Sequence, residues 1–591
     1  MRRPGPVAFL VGSLFGFVAA VDLVRAFRPL PLLDPDPSWA VPRLLLGLAA
    51  IAGTAVAAGA GAGVFWLWVR REQVPAGPPE ALAVSRRSLA ALSCLALLLG
   101  TLLRFAALER LPPSLWIDDL SLISPALELR GRPADFANAI RPAPYGVEKP
   151  YGSVGVLYLE AYRAALVRFG TTVFGVRFLA AAAGVCSIAA VSLVARELLP
   201  SGGAALAAIA LAALRWNLLN SRWGWNAVVL APVVDIAALF LLIARRRRSA
   251  AFAAAAGAVA GLAAHVYLSA WVASAALLLL AVWPVAPAAP ERSARPLARL
   301  PLAFAAAFVL FTLPIFLWKE GRVAPYFARA SDHNVIREMQ RARSPLPLFA
   351  AAADSLSAPW YRADPFSGRP LLGWLMIVPV AVAVGRCLAR PGDEPSAFFL
   401  CHGLAALAAS VVGGQAGIPN GYRFGYLADV ASVAAAFGIL LIASRRTPSA
   451  RRLIAFAALG ALAVSGALGA TDALAVWPER RETFDAFHGQ DTLLGRAAAR
   501  WEPFGRVVVE PGSEHSRITV ESVRRYRLDP DVSASPSFRS SLPAQVGPSF
   551  RVAAPRAGPR AGEKVVERVR DPWGRDWGLV LAVPRPPRAR A

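Results

Sequence analysis

Residues 178–195 read FLAAAAGVCSIAAVSLVA, a stretch without a charged side chain. A helix needs about 17–25 predominantly apolar residues to cross a bilayer, so this stretch predicts a transmembrane helix. Similar uncharged runs occupy Leu44–Val69, Ser88–Leu103, Leu300–Trp318 and Leu453–Ala470. So many runs in one chain exclude a soluble globular fold and predict an all-α polytopic membrane protein.

The composition supports this prediction and excludes a nucleic-acid-binding role. Of 591 residues, 56% are hydrophobic and 17% are charged, whereas soluble domains carry about 25% charged residues. The net charge of +25 could indicate a nucleic-acid partner. The arginines, however, are spread among the apolar runs, where cytoplasmic loops would fall. We therefore expect membrane lipids, and no nucleic acid, as partners.

The apolar runs predict about thirteen membrane spans. Their approximate ranges are 7–27, 44–69, 88–108, 173–195, 203–219, 225–244, 251–267, 268–285, 299–318, 371–389, 396–414, 424–443 and 452–471.

Alternation of basic loops sets the predicted orientation. Short cytoplasmic loops carry an excess of Lys and Arg, and with the N-terminus inside, every second loop is basic, as at Arg245–Arg248. Residues 250–284 are split into two spans because one span would reverse every later loop. This topology predicts a multi-pass protein of the bacterial plasma membrane with a cytoplasmic N-terminus and an extracytoplasmic C-terminus.

Three long segments are predicted at the outer face: 109–172, 319–370 and the tail 472–591. The tail has the composition of a small α/β domain. We expect strands at Arg506–Pro511, Arg517–Val520 and Trp577–Val583. We also expect a helix at Glu482–Trp501 and a loop at 552–562. The predicted division is thus two extra helices in 1–87, a transmembrane core in 88–471 and an outer domain in 472–591.

An acidic pair, Asp118 and Asp119, lies in LWIDDLS just after the third span. Two neighbouring carboxylates beside a membrane can act as a general base or bind a metal ion. They can also be a solvated loop pair or a helix cap, and the residues alone leave these alternatives open.

Basic residues in outer loops are candidates for binding a lipid phosphate. Lys149 follows Glu148 in VEKPY, Arg222 lies in NSRWGWN, and Arg423 lies in PNGYRFGY. An ammonium or guanidinium group at the membrane surface suits a phosphate. Snorkelling and interfacial anchoring are the alternatives for each of them.

Three further positions are candidates for accessory roles. His265 and Tyr267 fall near a turn in AHVYLSA, where His265 suits a structural role better than catalysis. Asp235 lies inside an otherwise apolar span, and an ionisable residue there is a functional candidate by default.

Taken in order, these segments resemble the GT-C glycosyltransferases, in the branch of protein O-mannosyltransferases, lipid A aminoarabinose transferases and their bacterial relatives. The motifs are WIDDLSLISPALELRG, EKPYGSVGVLYLEAYRAALVRFG, TTVFGVRFLAA, SRWGWNAVVLAP, GLAAHVYLSA and PNGYR. The acidic pair is Asp-Asp here, where the family typically has Asp-Glu. The ordered set covers about residues 88–471.

The resemblance implies a hexosyltransferase-type enzyme that takes its sugar from a polyprenyl-phosphate-linked donor. Asp118 would be the general base and Asp119 would position the acceptor or support Asp118. Lys149, Arg222 and Arg423 would stabilise the leaving phosphate, with Glu148 as an accessory residue. The acceptor is a protein, a lipid or a glycan.

We expect no obligatory metal or cofactor, although the acidic pair could bind a divalent cation. The main alternative function is a transporter or flippase of a lipid-linked sugar, which the intramembrane Asp235 and His265 favour. A structural membrane subunit with a degenerate site is a third interpretation.

Overall fold

The computed structural model describes residues 82, 84–116, 120–128, 156–284, 295–316, 335–357, 372–412, 425–444, 446–487, 489–510, 514–526, 528, 549–553 and 558–583. The predicted spans 7–27 and 44–69 lie outside these residues.

Helices dominate the first part of the chain. They are α1 Arg86–Phe105, α2 Ile123–Glu128, α3 Val156–Phe169, α4 Val173–Leu198, α5 Gly203–Ala213, α6 Arg215–Asn220, α7 Asn226–Arg247, α8 Ala250–Ala263, α9 Ala270–Val282 and α10 Arg295–Phe316. Several of these helices have a side-chain N-cap. At the start of α4, for example, the Thr172 hydroxyl accepts a hydrogen bond from the Gly175 amide at 3.1 Å.

The second part continues this bundle and ends in a small sheet. Its elements are α11 Val335–Ala342, α12 Leu346–Ser357, α13 Trp374–Ala389, α14 Glu394–Val412, α15 Tyr426–Ala443, α16 Pro448–Thr471, α17 Arg481–Ala486, α18 Gly489–Trp501, β1 Arg506–Val509, α19 Glu514–Tyr526, β2 Ser549–Ala553, β3 Lys564–Arg570 and β4 Asp576–Val583.

Five of the described helices are long and apolar enough to cross a membrane: α1, α4, α7, α15 and α16, the last extended by a π-helical turn to Val476. A sixth is present if the bent pair Leu375–Ala389 and Glu394–Ala406 forms one span; these helices meet at 105°. Four further apolar helices are shorter. The protein is thus a mostly helical, multi-pass membrane protein with a small C-terminal sheet, and the number thirteen stays a prediction.

One predicted span is not a continuous helix. The range 203–219 divides into α5 and α6, because Leu214 has an extended backbone with ψ of 112°. At 1.5 Å per residue, α5 is only about 16 Å long, well short of the hydrocarbon thickness. The predicted split of 250–284 does appear, as α8 and α9 separated by a turn.

Glycines let neighbouring helices approach closely. Gly257 of α8 faces the backbone of Phe304 in α10, and Gly438 of α15 faces the Pro379 carbonyl of α13; a methyl group at either glycine would overlap the facing backbone. Small residues at helix contacts are typical of membrane bundles, where van der Waals packing drives association.

Arginines predicted in the basic inner loops form ion pairs at the ends of their helices. At the predicted inner end, Arg245 forms an ion pair with Glu394 at 3.1 Å and donates to the Leu280 carbonyl at 2.5 Å, while Arg246 pairs with Glu197 at 2.7 Å.

The tail after α16 forms a four-stranded sheet in the order β1-β2-β4-β3, with β1 and β2 parallel and the other pairs antiparallel. Helix α18 packs on one face, burying Leu494, Ala498 and Trp501 against Phe550 and Val580. We call this unit, with the turn and helices from Asp472 onward, the C-terminal domain.

Two secondary-structure predictions in this domain are wrong. Arg517–Val520 lies in helix α19, because Val520 and Val523 share one buried helical face, and this spacing outweighs the strand preference of the short RITV window. Val552 and Ala553, predicted as loop, end strand β2. Strands β2 and β3 are additions to the prediction.

Candidate active site

The predicted site residues divide into two groups. Asp118, Asp119, Glu148, Lys149 and Arg423 lie outside the described residues, so their roles stay predictions. Arg222, Asp235, His265 and Tyr267 are described, and so are the residues that flank the acidic pair.

The segment leading to the acidic pair is fixed to the bundle by Arg177 of α4. The Arg177 guanidinium is buried and donates to the carbonyls of Leu108 at 2.9 Å and Ser114 at 2.7 Å. Two hydrogen bonds from one planar group hold both ends of the turn that follows α1. Arg177 therefore fixes the path of the chain towards Asp118.

The chain is buried immediately after the pair as well. Leu120, Leu122 and Ile123 are at most 2% exposed and belong to the main core of the bundle. The Leu120 amide donates to the Trp116 carbonyl at 3.4 Å. Only residues 117–119 separate Trp116 from Leu120, so both chain ends that carry the pair are held in place.

An aromatic cluster lies beside this segment. It consists of Trp116, Trp223, Trp225, Trp477 and Phe487, and we call it the outer aromatic cluster. The Phe487 ring packs edge-on against Trp223 at 4.9 Å, Trp477 at 5.6 Å and Trp116 at 5.9 Å between ring centroids. Phe487 thus joins the C-terminal domain to the two predicted outer loops.

Polar contacts reinforce the same junction. The Leu115 amide donates to the Thr492 hydroxyl at 3.2 Å. Asp472, buried at the end of α16, pairs with Arg215 and with Arg480, the latter at 3.2 Å. The C-terminal domain is therefore joined to the bundle through buried groups.

Arg222 is placed differently from its predicted role. Its guanidinium is fully buried and donates to the carbonyls of Leu103 at 2.8 Å, Arg104 at 3.2 Å and Ala106 at 2.6 Å. The last carbonyls of a helix lack partners within it, so Arg222 caps α1. Burial lowers the pKa of Arg222 to about 10, which leaves it charged at neutral pH. With its terminal nitrogens on the helix end, Arg222 fits a structural role, and we omit it from the phosphate site proposed below.

Asp235 belongs to a buried polar network between helices. Its carboxyl lies against that of Asp429 in α15. Asp429 accepts from the Asn217 amide at 3.4 Å, and Asn217 accepts from Arg104 at 2.5 Å. The network joins α1, α6, α7 and α15 and links the Arg104 guanidinium, through Asn217, to the Asp429 carboxyl group.

His265 and Tyr267 lie at the turn between α8 and α9. The His265 Nε2 is 3.0 Å from the Phe311 carbonyl of α10, and the ring is buried. The Tyr267 ring packs edge-on against Trp225 at 5.5 Å. The His265 contact fits the structural role favoured from the sequence.

The site residues predicted from the sequence did not include Arg104, Arg177, Asn217, Asp429 or Thr492. A signal existed for Asp429, which lies in an apolar span just as Asp235 does. Arg177 was visible in the TTVFGVRFLAA motif. Thr492 carried no local signal, since its partner is the distant Leu115 amide.

Within the described part of the chain, no three His, Cys, Asp or Glu side chains are grouped as metal ligands. The acidic pair lies outside that part, and the predicted option of a divalent cation there stays open.

Comparisons with known proteins give distant structural matches. No family model and no curated protein sequence matches the chain. The Archaeoglobus fulgidus oligosaccharyltransferase tethered with an acceptor peptide matches at a TM-score of 0.48 and 14% identity, over 74% of this chain and 63% of that one. ArnT from Cupriavidus metallidurans bound to undecaprenyl phosphate matches at a TM-score of 0.47 and 14% identity, over 84% of this chain and 98% of that one. The apo state of the same protein matches at a TM-score of 0.46 and 15% identity, over 83% of this chain and 97% of that one.

These proteins are GT-C membrane glycosyltransferases, the family that the sequence motifs resemble. This chain spans less than two thirds of the archaeal enzyme's length.

Proposed function

We propose that the protein is a membrane glycosyltransferase that moves a sugar from a polyprenyl-phosphate-linked donor to an acceptor at the outer membrane face. The observation that carries the proposal is the fixed frame around the acidic pair. Arg177, Thr492 and the outer aromatic cluster hold the chain before it, and the buried Leu120–Ile123 segment holds the chain after it. A solvated loop pair needs no such frame, whereas a catalytic carboxylate must be held in place.

The chemistry is a direct displacement at the anomeric carbon. Asp118 takes the proton from the acceptor hydroxyl or amine as its oxygen or nitrogen bonds to that carbon. The bond between the anomeric carbon and the phosphate oxygen breaks, and polyprenyl phosphate leaves with the electron pair. Phosphate is already a good leaving group, so no general acid is required. Asp119 supports Asp118 or orients the acceptor.

Lys149 and Arg423 are the basic residues that we propose for the leaving phosphate. A positive charge near the phosphoryl oxygens stabilises the charge that develops as the bond breaks. Glu148 is an accessory residue beside Lys149, and the hexosyl nature of the transferred group is part of the same proposal.

Proteoliposomes with purified protein test the proposal. The donors are polyprenyl phosphates carrying radiolabelled mannose, glucose, galactose or aminoarabinose, and the acceptors are extracted membrane lipids, envelope proteins and glycans. We expect label to move from one of the three hexosyl donors to one acceptor class. Transfer only from the aminoarabinose donor, which carries a pentose, would contradict the hexosyl part of the proposal. The proposal would be contradicted if a nucleotide sugar served as donor equally well. It would also be contradicted if the label only crossed the membrane on intact donor and was never transferred.

A transporter of a lipid-linked sugar is the second candidate, favoured by the buried carboxyl groups of Asp235 and Asp429. Movement of intact donor between leaflets that Asp235→Asn abolishes would support it. The same assay distinguishes the two functions, because the transferase breaks the sugar–phosphate bond and the transporter does not.

A further inference from the structure

The C-terminal domain contacts the chain directly before the acidic pair. Leu115 and Trp116 precede Asp118 by three and two residues. Leu115 is fully buried, and its amide donates to Thr492 of α18; Trp116 packs against Phe487. Phe487 lies just before the start of α18 and Thr492 lies in its first turn, so both contacts come from the same end of this helix.

These two contacts are well placed to control the position of Asp118. Consecutive residues span at most about 3.6 Å each, so the Cα of Asp118 is within about 7 Å of the Cα of Trp116. A general base must lie within hydrogen-bond reach of its proton. A displacement of about 1 Å at a reacting group can cost about 100-fold in rate.

The domain is itself fixed at this junction. Thr492 and Phe487 are each 1% exposed, and Phe487 also contacts Trp223 and Trp477. The buried Asp472, paired with Arg215 and Arg480, joins the same end of the domain to the bundle. Movement at this junction would therefore be transmitted to Leu115 and Trp116.

We propose that the C-terminal domain positions the acidic pair, with Thr492 and Phe487 as positioning residues that act through Leu115 and Trp116. This inference rests on the proposed transferase function. It assigns the domain a role in the chemical step, whereas binding of the lipid donor is left to the membrane core.

Thr492→Val tests the polar contact with little change of shape, because valine replaces the hydroxyl with a methyl group. We expect kcat to fall about tenfold or more, while KM for the lipid donor stays within about twofold. Thr492→Ser, which keeps a hydroxyl, should restore most of the activity. Phe487→Leu should lower kcat in the same way by loosening Trp116.

Thr519→Val is the matched control. Thr519 is equally buried in α19 of the same domain, and its hydroxyl has no hydrogen-bond partner among the described residues. This variant should keep wild-type kcat. Equal kcat values for the Thr492→Val and Thr519→Val proteins would overturn the inference, as would a change confined to KM.

Hydrogen exchange of the Leu115 amide provides a readout independent of activity. In full-length protein in detergent, this amide should exchange faster in the Thr492→Val protein and at the wild-type rate in the Thr519→Val protein. If the wild type transfers no sugar, the proposed function fails. Hydrogen exchange of the Leu115 amide then still decides whether Thr492 holds this amide. Unchanged protection of Leu115 in the Thr492→Val protein overturns the inference.

Discussion

Three buried arginines hold backbone and polar groups in place around the end of α1, and one of them, Arg222, was predicted from the sequence to bind phosphate. Arg104 lies in the last turn of α1, Arg177 lies in the first turns of α4, and Arg222 lies between α6 and α7. Each of the three side chains is at most 1% exposed. Arg177 and Arg222 donate mainly to backbone carbonyls near α1. A buried guanidinium needs such partners, because unpaired charge in an apolar interior is strongly unfavourable.

Arg222→Ala should destabilise the protein and leave donor binding unchanged. It removes three charge-assisted contacts at the end of α1, so we expect a loss of about 1.5–3 kcal/mol in the free energy of unfolding. Thermal unfolding in detergent measures the loss, and the donor KM measures binding. Arg481→Ala, at an exposed position, is the control. A raised KM with unchanged stability would instead support the phosphate role predicted from the sequence.

Arg104→Met should be more damaging than Arg222→Ala. It leaves the buried Asn217 and Asp429 without their cation, and breaking a buried charge pair costs about 3–5 kcal/mol. The double variant Arg104→Met/Asp429→Asn should recover part of this loss, because it removes the uncompensated carboxyl group. Arg87→Met, exposed on the same helix, should be close to neutral. If the unfolding free-energy changes of the two single variants sum to that of the double variant, Arg104 and Asp429 are not coupled.

At the scale of elements, hydropathy predicted the helices well because lipid imposes a strong local constraint on sequence. Each of the predicted spans from 88–108 onward overlaps a helix. The break at Leu214 was missed, although the polar Arg215 and Asn217 that follow it interrupt the apolar run. The short strands β2 and β3 were missed because pairing in the sheet, rather than their own composition, stabilises them.

Close helix contacts at glycine make a prediction about α15. Gly438→Ala should destabilise the bundle by about 1–3 kcal/mol, because the added methyl group overlaps the Pro379 carbonyl of α13. Gly460→Ala in α16 is the matched control, since nothing lies within 4 Å of its added carbon. That variant should be neutral or more stable by up to about 1 kcal/mol. Equal effects of the two changes in thermal unfolding would contradict the described packing.

At the scale of the whole molecule, the predicted orientation brings the acidic pair and the C-terminal domain to one side. The contacts of Trp116, Trp223 and Phe487 require these segments to share a side. Sequence alone could place Asp118 in an outer loop. It could not reveal that Thr492 and Phe487 contact the same loop, since those contacts join residues more than 370 positions apart.

Cysteine labelling tests the orientation. In a background with the four native cysteines replaced by alanine, Ser513→Cys should react with an impermeant thiol reagent in sealed, right-side-out vesicles. Arg247→Cys, at the predicted inner end of α7, should react only after permeabilisation. Labelling of both positions from the same side would contradict the alternation of basic loops.

If Asp118 is the general base of sugar transfer, Asp118→Asn should block transfer in proteoliposomes. The amide is nearly isosteric with the carboxylate but cannot accept the proton, so transfer from the labelled polyprenyl-phosphate donor should fall by about 10²–10⁴-fold with unchanged thermal unfolding. Asp119→Asn should cost less, and Glu502→Gln, an exposed carboxyl of the C-terminal domain, should cost nothing. Similar losses from both aspartates together with inhibition of the wild type by EDTA would instead indicate a metal site. Wild-type turnover by a well-folded Asp118→Asn protein would contradict the mechanism.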